Sequence, residues 1–333
     1  MTIKDLARES GYSLGTVSRV LNGHPNVSEK ARKAVMAVVE AQGFELNSNA
    51  KNLKQSRGNS ILAVVKGRGN EMFAAMVEQL QTFFTLLPYP LIIDYIDELD
   101  NEVNRAAALC REKKPQGVLF LGGSQQNFVD GFSRIDVPAV LLTGSARELR
   151  FSNLSSVATD DCKGAACAVE YLLRSGHTDI AVLGGDRQLS GTSHDRHQGC
   201  LEAYARNGLA FREAQYHQCR FSYRSGYETM KRLLESGTPC SAVFAMADVI
   251  AVGAIRAIRE RGLRVPEDIS VMGYDSLELC EYLMPKLSSV GQPARAMAQK
   301  GAELLLDRIE CGGTARHVTL PFSLDCRESV LIR

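Results

Sequence analysis

From residue 60 onward the chain alternates short apolar runs with amphipathic stretches, and no other feature restricts its fold as strongly. The apolar runs are ILAVV (61–65), PLIID (90–94), GVLFLG (117–122), AVLLT (139–143), IAVLGG (180–185), AVFAM (242–246) and ISVMGY (269–274). Helical periodicity is clearest over 163–175, 194–207, 224–236 and 248–261. Runs of strand length between helices are typical of buried parallel strands, so we predict a doubly wound α/β fold. The stretch is too long for one such sheet, which favours two lobes with ligands bound between them at the strands' carboxyl ends.

The first 45 residues follow a different pattern, which predicts three short helices over about 3–10, 14–22 and 29–42. Ser13 and Ser28 directly precede the second and third helices, where a hydroxyl satisfies free backbone N–H groups. A small shared core is expected from the apolar side chains Leu6, Ala7, Val17, Val20, Leu21, Val35, Val38 and Val39. The sequence therefore predicts a minimal all-α module ahead of the α/β part.

Charge separates these two parts of the chain. The net charge is +1 overall, but residues 1–57 carry nine Lys and Arg against five Asp and Glu. A basic head on a faintly acidic body indicates that the head meets an anion.

The cellular compartment of the protein is indicated by signals that the sequence lacks. No apolar run approaches the length needed to cross a bilayer, and the first residues, MTIKDLARES, lack the apolar centre of a signal peptide. The nine cysteines are odd in number and include no C-x-x-C. We therefore expect a cytoplasmic protein whose cysteines are buried thiols, not disulfides or zinc ligands.

The head also carries a specific motif. The segment TIKDLARESGYSLGTVSRVLNG (2–23) resembles the helix-turn-helix of LacI-type bacterial repressors, whose T-V-S-R-V-L-N run is here Thr16 to Asn22. The resemblance continues through VSEKARKAVMAVVEAQGF (27–44), GHTDIAVLGG (176–185), RHQG (196–199), AVGAIRAIRERGLRVPEDISVMGYD (251–275) and PKLSSV (285–290). It implies an all-α helix-turn-helix head joined to a two-lobed, doubly wound, periplasmic-binding-protein-like α/β core.

In a helix-turn-helix the second helix enters the major groove, and its N-terminal residues contact bases. Those residues are Leu14 and Gly15, followed one turn later by Arg19, whose guanidinium suits a guanine edge. For Arg19, a solvated charge on the helix surface is the alternative. Gly15 offers no side chain, so we expect specificity there to come from DNA shape or from Leu14. Phosphate or sugar contacts are expected from Ser13, Thr16 and Asn22. For the last two, a capping or turn role is an equal alternative.

Residues 46–58, LNSNAKNLKQSRG, are polar and rich in poor helix formers. We expect a linker that becomes helical only when paired with its dimer partner on DNA. Asn47, Ala50 and Leu53 match the hinge helix of the family. The resemblance implies that Leu53 wedges into the minor groove and bends the duplex, whereas packing of Leu53 on the core is the alternative.

The resemblance further implies an effector between the lobes, contacted by Arg196 and Asp275. A guanidinium that donates twice and a carboxylate that accepts twice suit vicinal hydroxyls. A salt bridge between the lobes without ligand is the alternative. Phe73 is expected to stack on a sugar or base, or to belong to the core. The family often has Asn before the residue that matches Asp248, but here that position is Ala. Asp248 either caps its helix or contacts the ligand, and Asp161 is a further candidate for a ligand contact.

Signals of catalysis are weak throughout the sequence. It contains no G-x-x-x-x-G-K-[ST] and no G-x-S-x-G, and the glycines at 67 and 69 are followed by Met72 where a dinucleotide fingerprint needs a third glycine. His194 and His197 could seed a metal site, but no third ligand is evident. We therefore predict neither an enzyme nor a bound cofactor or metal.

These observations predict a DNA-binding transcriptional repressor, controlled by a sugar or related polyol and acting as a homodimer on a pseudo-palindromic operator. Helix faces such as 71–86 are expected to contribute to the dimer. The alternative is a sugar- or nucleoside-binding protein, or a hydrolase, with the same core and no DNA function. The expected domains are a head (1–46), a hinge (47–57) and a core (58–333) with a first lobe of about 58–161 and 291–320 and a second of about 162–290 and 321–333.

Overall fold

The structure, a computed structural model, describes residues 3–21, 27–41 and 58–333. The chain divides into two compact units, Met1–Ser56 and Arg57–Arg333, which we call the head and the core.

The head contains the helices α1 (Ile3–Ser10), α2 (Leu14–Leu21) and α3 (Glu29–Ala41). They pack around four buried side chains contributed by all three helices: Leu6, Val17, Val20 and Val35. Ser13 Oγ accepts a hydrogen bond from the Thr16 N–H at 3.2 Å, and Ser28 Oγ accepts one from the Ala31 N–H at 3.3 Å. These bonds satisfy N–H groups that the first turn of each helix leaves free, so both predicted caps are confirmed.

The first lobe of the core is a parallel sheet covered by helices on both faces. Its strands are β1 (Ile61–Lys66), β2 (Leu91–Ile96), β3 (Gly117–Leu121), β4 (Ala139–Leu142), β5 (Leu154–Ala158) and β11 (His317–Thr319), in the spatial order β11-β5-β4-β3-β1-β2. Its helices are α4 (Glu71–Phe84), α5 (Glu102–Lys113), α6 (Gln125–Gly131) and α11 (Ala294–Cys311), with short 3₁₀ turns at Phe132–Arg134 and Arg147–Leu149.

The second lobe repeats this architecture. Its strands are β6 (Ile180–Gly184), β7 (Tyr216–Gln218), β8 (Ala242–Ala245), β9 (Ser270–Asp275), β10 (Ser288–Gly291) and β12 (Ser323–Asp325), in the order β12-β10-β9-β8-β6-β7. Neighbouring strands are parallel except for β10 and β12. Its helices are α7 (Asp161–Arg174), α8 (Gly191–Arg206), α9 (Tyr223–Glu235) and α10 (Asp248–Glu260), with 3₁₀ turns at Glu213–Gln215 and Glu278–Glu281. The predicted two-lobed α/β fold is confirmed.

Strand β1 explains why the strands are apolar without interruption. Ile61, Ala63 and Val65 face one core cluster, whereas Leu62 and Val64 face another on the opposite side of the sheet. Because helices cover both faces, alternation between apolar and polar residues would bury a polar side chain at every second position.

The apolar-run criterion missed strands β5, β7, β10, β11 and β12. Two of them, β5 and β10, run through buried serines, which form hydrogen bonds that an apolar criterion ignores. Ser156 Oγ lies 2.9 Å from His317 Nδ1, and Ser289 Oγ donates to Asp248 Oδ1 at 2.6 Å. Polar side chains are therefore tolerated in these strands because each has a partner on a neighbouring element.

Two further sequence expectations can be compared with the structure. All nine cysteines are free thiols, but Cys311 and Cys326 are exposed, so the expectation that all would be buried is wrong. Among the described residues, none of the helices combines the length and the hydropathy needed to span a bilayer.

Candidate ligand-binding cleft

A cavity of about 540 Å³ lies between the two lobes of the core. Its walls include residues that end or follow strands β1, β2, β3 and β4 in the first lobe and β6, β7 and β9 in the second. In parallel sheets these carboxyl ends are where ligands bind, and the volume lies within the usual range for small-molecule sites. Three chain segments, 158–161, 291–294 and 319–323, connect the lobes.

Arg196, on α8, forms the buried floor of the cavity. Its Nε donates to Asp161 Oδ1 at 2.7 Å, its Nη1 donates to the Met246 carbonyl, and its guanidinium lies 3.6 Å above the Tyr274 ring. Its Nη2 lies 4.0 Å from Asp275 Oδ1. Burial would lower the pKa of Arg196, but the neighbouring carboxylates outweigh it and raise the pKa above the ordinary value. The side chain is therefore a fixed cation whose remaining N–H groups are available to a ligand.

The position of Arg196 depends on a close approach of two helices. Gly199, one turn further along α8, packs against α7, where a Cβ would overlap the Cys162 carbonyl oxygen. Without that contact α8 could not lie close enough for Arg196 to reach Asp161 at the start of α7. This is the structural reason for the R-x-x-G spacing.

Asp275, the last residue of β9, is buried beside Arg196. Its Oδ1 accepts from Gln292 Nε2 at 2.8 Å, and no described residue donates to its Oδ2. Its φ of +109° is unfavourable for a side chain other than glycine, a strain that is common at ligand-binding positions. Burial raises the pKa of Asp275 to about 7, and Arg196 only partly opposes the rise because its shortest contact is with Asp161.

Two of the residues predicted to contact an effector, Asp161 and Asp248, lie outside the lining of this cavity and bind partners within the core. Asp161 is engaged by Arg196 and holds it in place. Asp248 accepts from the Leu277 N–H at 2.7 Å and from Ser289 Oγ at 2.6 Å, and its side chain does not cap α10. Burial raises the pKa of both carboxyls. Both side chains are turned toward partners in the second lobe that lie far from them in sequence.

Phe73, at the start of α4, does line the cavity while remaining almost fully buried. Asn70 also lines it, and its Oδ1 caps α4 by accepting from the Met72 N–H at 3.0 Å. The N-termini of α4, α8 and α9 all reach the cavity, through their capping residues Asn70, Ser190 and Ser222.

Sequence reasoning missed Lys66, Arg220 and Phe221 in the wall of the cavity. Lys66 ends β1, and its Nζ forms a buried ion pair of 2.6 Å with Glu102. Arg220 and Phe221 follow β7, whose YHQ sequence carries no apolar run. Lys66 could have been found by searching for polar residues directly after each predicted strand, whereas the other two could not because their strand was not predicted.

The two histidines of α8 lie in different surroundings. His197 is buried, with Nε2 3.2 Å from Arg187 Nη1 and its ring edge-on to Tyr216 at 5.2 Å. His194 is exposed on the same helix. In the described part of the chain, no group of three His, Cys, Asp or Glu side chains is arranged to hold a metal.

Predicted DNA-contacting residues lie partly on the described head. Leu14, Gly15, Thr16 and Arg19 lie on α2, and Ser13 caps it. Ser13 Oγ also lies 3.0 Å from Thr16 Oγ1, so both hydroxyls take part in the cap. The predicted contacts outside the described residues are Asn22, Asn47, Ala50 and Leu53.

Comparison with known proteins covers both units. Residues 2–47 match the family model described as bacterial regulatory proteins of the lacI family, and residues 169–330 match a periplasmic binding protein-like domain. The chain is 33% identical to the HTH-type transcriptional regulator MalR of Clostridium butyricum over 99% of each chain.

Solved structures agree with the sequence relatives. The lac repressor dimer bound to operator and the anti-inducer ONPF is 25% identical with a TM-score of 0.78, over 99% of each chain. A complex of the transcriptional regulator CelR with cellobiose is 28% identical with a TM-score of 0.69, also over 99% of each chain. A helix-turn-helix head, a two-lobed core with a cleft and relatives that match along the full length together lead to one conclusion: the chain belongs to the LacI family of bacterial transcriptional regulators.

Proposed function

We propose that the protein is a cytoplasmic repressor that binds operator DNA through its head and is controlled by a small polyhydroxylated metabolite bound between the lobes. The observation that carries the proposal is the buried pair of Arg196 and Asp275, which faces a cavity at the carboxyl ends of two sheets. Residues 1–46 would form the DNA-binding head, 47–57 the hinge and 58–333 the effector-binding core, in two lobes with the limits predicted above. Binding, not catalysis, would be its activity.

A sugar or related polyol suits the chemistry of the cavity. Arg196 has N–H groups left to donate, Asp275 has a carboxylate oxygen left to accept, and vicinal hydroxyls match that pair. Phe73 and Phe221 supply apolar walls for the carbon face of a sugar ring. The similar regulator solved with cellobiose supports the same ligand class.

DNA binding is proposed to follow the helix-turn-helix mode, with a homodimer placing two α2 helices on a pseudo-palindrome. Leu14, Gly15 and Arg19 would meet base edges, while Ser13, Thr16 and Asn22 would meet the backbone. Asn47, Ala50 and Leu53 would belong to a hinge helix that forms on the operator, with Leu53 as the wedge.

The proposal is tested by a thermal-shift screen of sugars, nucleosides and phosphorylated metabolites on the full chain. A true effector should raise the melting temperature, change the affinity for an operator selected from random duplexes, and lose both effects in Asp275→Asn. A stabilising compound that keeps its full effect in Asp275→Asn would contradict the assignment of the cleft.

Arg19→Ala is expected to weaken operator binding by about 1–3 kcal/mol, measured by fluorescence anisotropy, and to relax the preference for one base in each half-site. Lys33→Ala, at an exposed position of α3, is the control with unchanged base preference. If Arg19→Ala weakens all sequences equally, Arg19 contacts phosphate instead of a base.

Operator binding by the parent protein should depend steeply on salt. Anisotropy titrations should give a log–log slope of the affinity against salt concentration of about −5 to −9, from the phosphate contacts of two heads.

Effector affinity is expected to increase with pH through neutrality. The charged form of Asp275 accepts hydroxyl hydrogen bonds, and burial raises the pKa of this carboxyl to about 7, so protonation at lower pH removes the acceptor. For an uncharged polyol identified in the screen, Kd by calorimetry should be about tenfold weaker near pH 6 than near pH 8, as proton linkage to one group requires. A pH-independent Kd in the parent protein would contradict the role of the carboxylate.

A further inference from the structure

The mouth of the cleft is bridged by a cluster of side chains from both lobes. Arg220, which follows β7 in the second lobe, donates from Nε to Glu98 Oε1 at 2.6 Å and from Nη2 to Asp97. Both carboxylates lie in the loop after β2 of the first lobe. One guanidinium therefore holds two acidic side chains from the opposite side of the cavity.

Each side of this cluster is fixed within its own lobe. Asp97 Oδ1 accepts from the Leu99 N–H at 3.0 Å, which closes a turn in the first lobe. In the second lobe the Arg220 N–H donates to Ser225 Oγ at 2.9 Å. Each lobe therefore stabilises its own part of the cluster by a local hydrogen bond. When the lobes come together, the guanidinium and the carboxylates are already held in place.

Glu98 also reaches the wall of the cavity. Its second oxygen, Oε2, accepts from the Phe221 N–H at 3.2 Å. The Phe221 ring lines the cavity and lies against Gly185, where a Cβ would come within 2.6 Å of the ring. A residue of the first lobe thus fixes the backbone of an aromatic residue that the second lobe presents to the ligand.

Tyr223 Oη donates to Glu71 Oε1 and connects the N-termini of α9 and α4, and further polar contacts connect the lobes at the crossover segments. Thr159 Oγ1 donates to Gln292 Oε1 at 2.8 Å, and Gln292 Nε2 donates to Asp275 Oδ1 at 2.8 Å. Thr159 and Gln292 belong to segments that pass from one lobe to the other. The crossover segments therefore form the pivot, and the Arg220 cluster lies at the end that separates when the lobes open.

We propose that Glu98 and Arg220 form a latch that closes the cleft, and that Glu98 is a positioning residue which couples closure to the placement of Phe221. The inference rests on the proposed effector role of the cavity, but closure itself can be measured without effector or DNA. The Arg220 side chain is 50% exposed and that of Glu98 is 20% exposed. Solvent and salt therefore weaken the latch, and its loss should raise the open-to-closed ratio by about threefold to tenfold.

The chain contains no tryptophan, so Phe221→Trp in the full-length protein creates a unique fluorescent probe in the wall of the cavity. We would compare acrylamide quenching of this probe in the parent, in Glu98→Gln, in Arg220→Gln and in the double variant. Glu112→Gln is the matched control, since Glu112 is an exposed carboxylate of the first lobe that forms an ion pair with the adjacent Lys113. Circular dichroism melting curves establish that each variant is folded.

Both latch variants should increase quenching, and the double variant should add little to either, because the two changes remove the same interaction. Salt at about 1 M should raise quenching of the parent toward the level of the variants, since the Debye length falls to about 3 Å. The control should behave as the parent does. Three outcomes would each overturn the latch: equal quenching in all proteins, additive effects of the two changes, or the same rise in the Glu112→Gln control. None of them bears on operator or effector binding, which have tests of their own.

Discussion

Replacing Arg196 by methionine is expected to lower the free energy of unfolding of the core by about 3–5 kcal/mol. The guanidinium is buried between Asp161 and Asp275, and its removal leaves two buried carboxyls without their cation. A buried charge without a partner destabilises far more than the lost ion pair itself contributed. Urea denaturation followed by circular dichroism measures the difference, and effector binding should be lost in the same variant.

The pH dependence of this loss has a definite sign. Burial already raises the pKa values of Asp161 and Asp275, and removal of the cation that opposes the rise takes them higher. A carboxyl whose pKa is raised by folding lowers the free energy of unfolding when the pH exceeds that raised value, because the buried side chain is then ionised. The destabilisation by Arg196→Met should therefore be larger near pH 8 than near pH 5.

Arg206→Met provides the matched control on the same helix. Arg206 is 56% exposed and pairs with Glu170 and Glu202 at the surface, so its replacement should change the free energy of unfolding by less than about 1 kcal/mol. If Arg196→Met destabilised the core no more than Arg206→Met, the buried cluster would not hold α7, α8 and β9 together as described.

Leu6→Ala is expected to abolish operator binding while leaving the core intact. Leu6 is fully buried, and in the described head its apolar cluster contains four buried residues. Truncation of a buried leucine costs about 2–5 kcal/mol, and a module of this size is stabilised by about 3–5 kcal/mol in total. Most heads would then be unfolded in the variant. Anisotropy titration should find no operator binding, and calorimetry should find an unchanged melting transition of the core.

Met36→Ala is the control for this prediction, because Met36 is an exposed residue of α3. It should bind the operator as the parent does. Retained operator affinity in Leu6→Ala would mean that the head is stabilised mainly by something other than the four-residue core, and a lowered core transition would mean that the two units do not fold independently.

The elements of this fold were largely predictable from the sequence. Continuous runs such as 61–65 and 242–246 predicted parallel strands, because a strand covered on both faces must be apolar at every position. Ser13 and Ser28 predicted the starts of α2 and α3, because capping depends only on residues within one turn. The strands at 154–158 and 288–291 escaped prediction because their buried serines are satisfied by distant partners.

The candidate site was predicted less completely. The motif at 196–199 and the aspartate that ends β9 identified two residues that face the cavity, whereas the contacts of Asp161 and Asp248 with partners inside the core were not predicted. An aspartate at the N-terminus of a helix has the same sequence signature whether it faces a ligand or a buried guanidinium.

The sequence by itself determined the βα repetition, the helix caps and the family, because each of these depends on residues within a few positions of one another or on short motifs. Only the tertiary structure decided which carboxylates reach the cleft and which side chains close it. Arg196 meets a partner 35 residues away, and Arg220 meets one 122 residues away, across the crossovers that bring the lobes together. Local periodicity reports which face of an element is buried, but it contains no information on what another lobe places opposite that face.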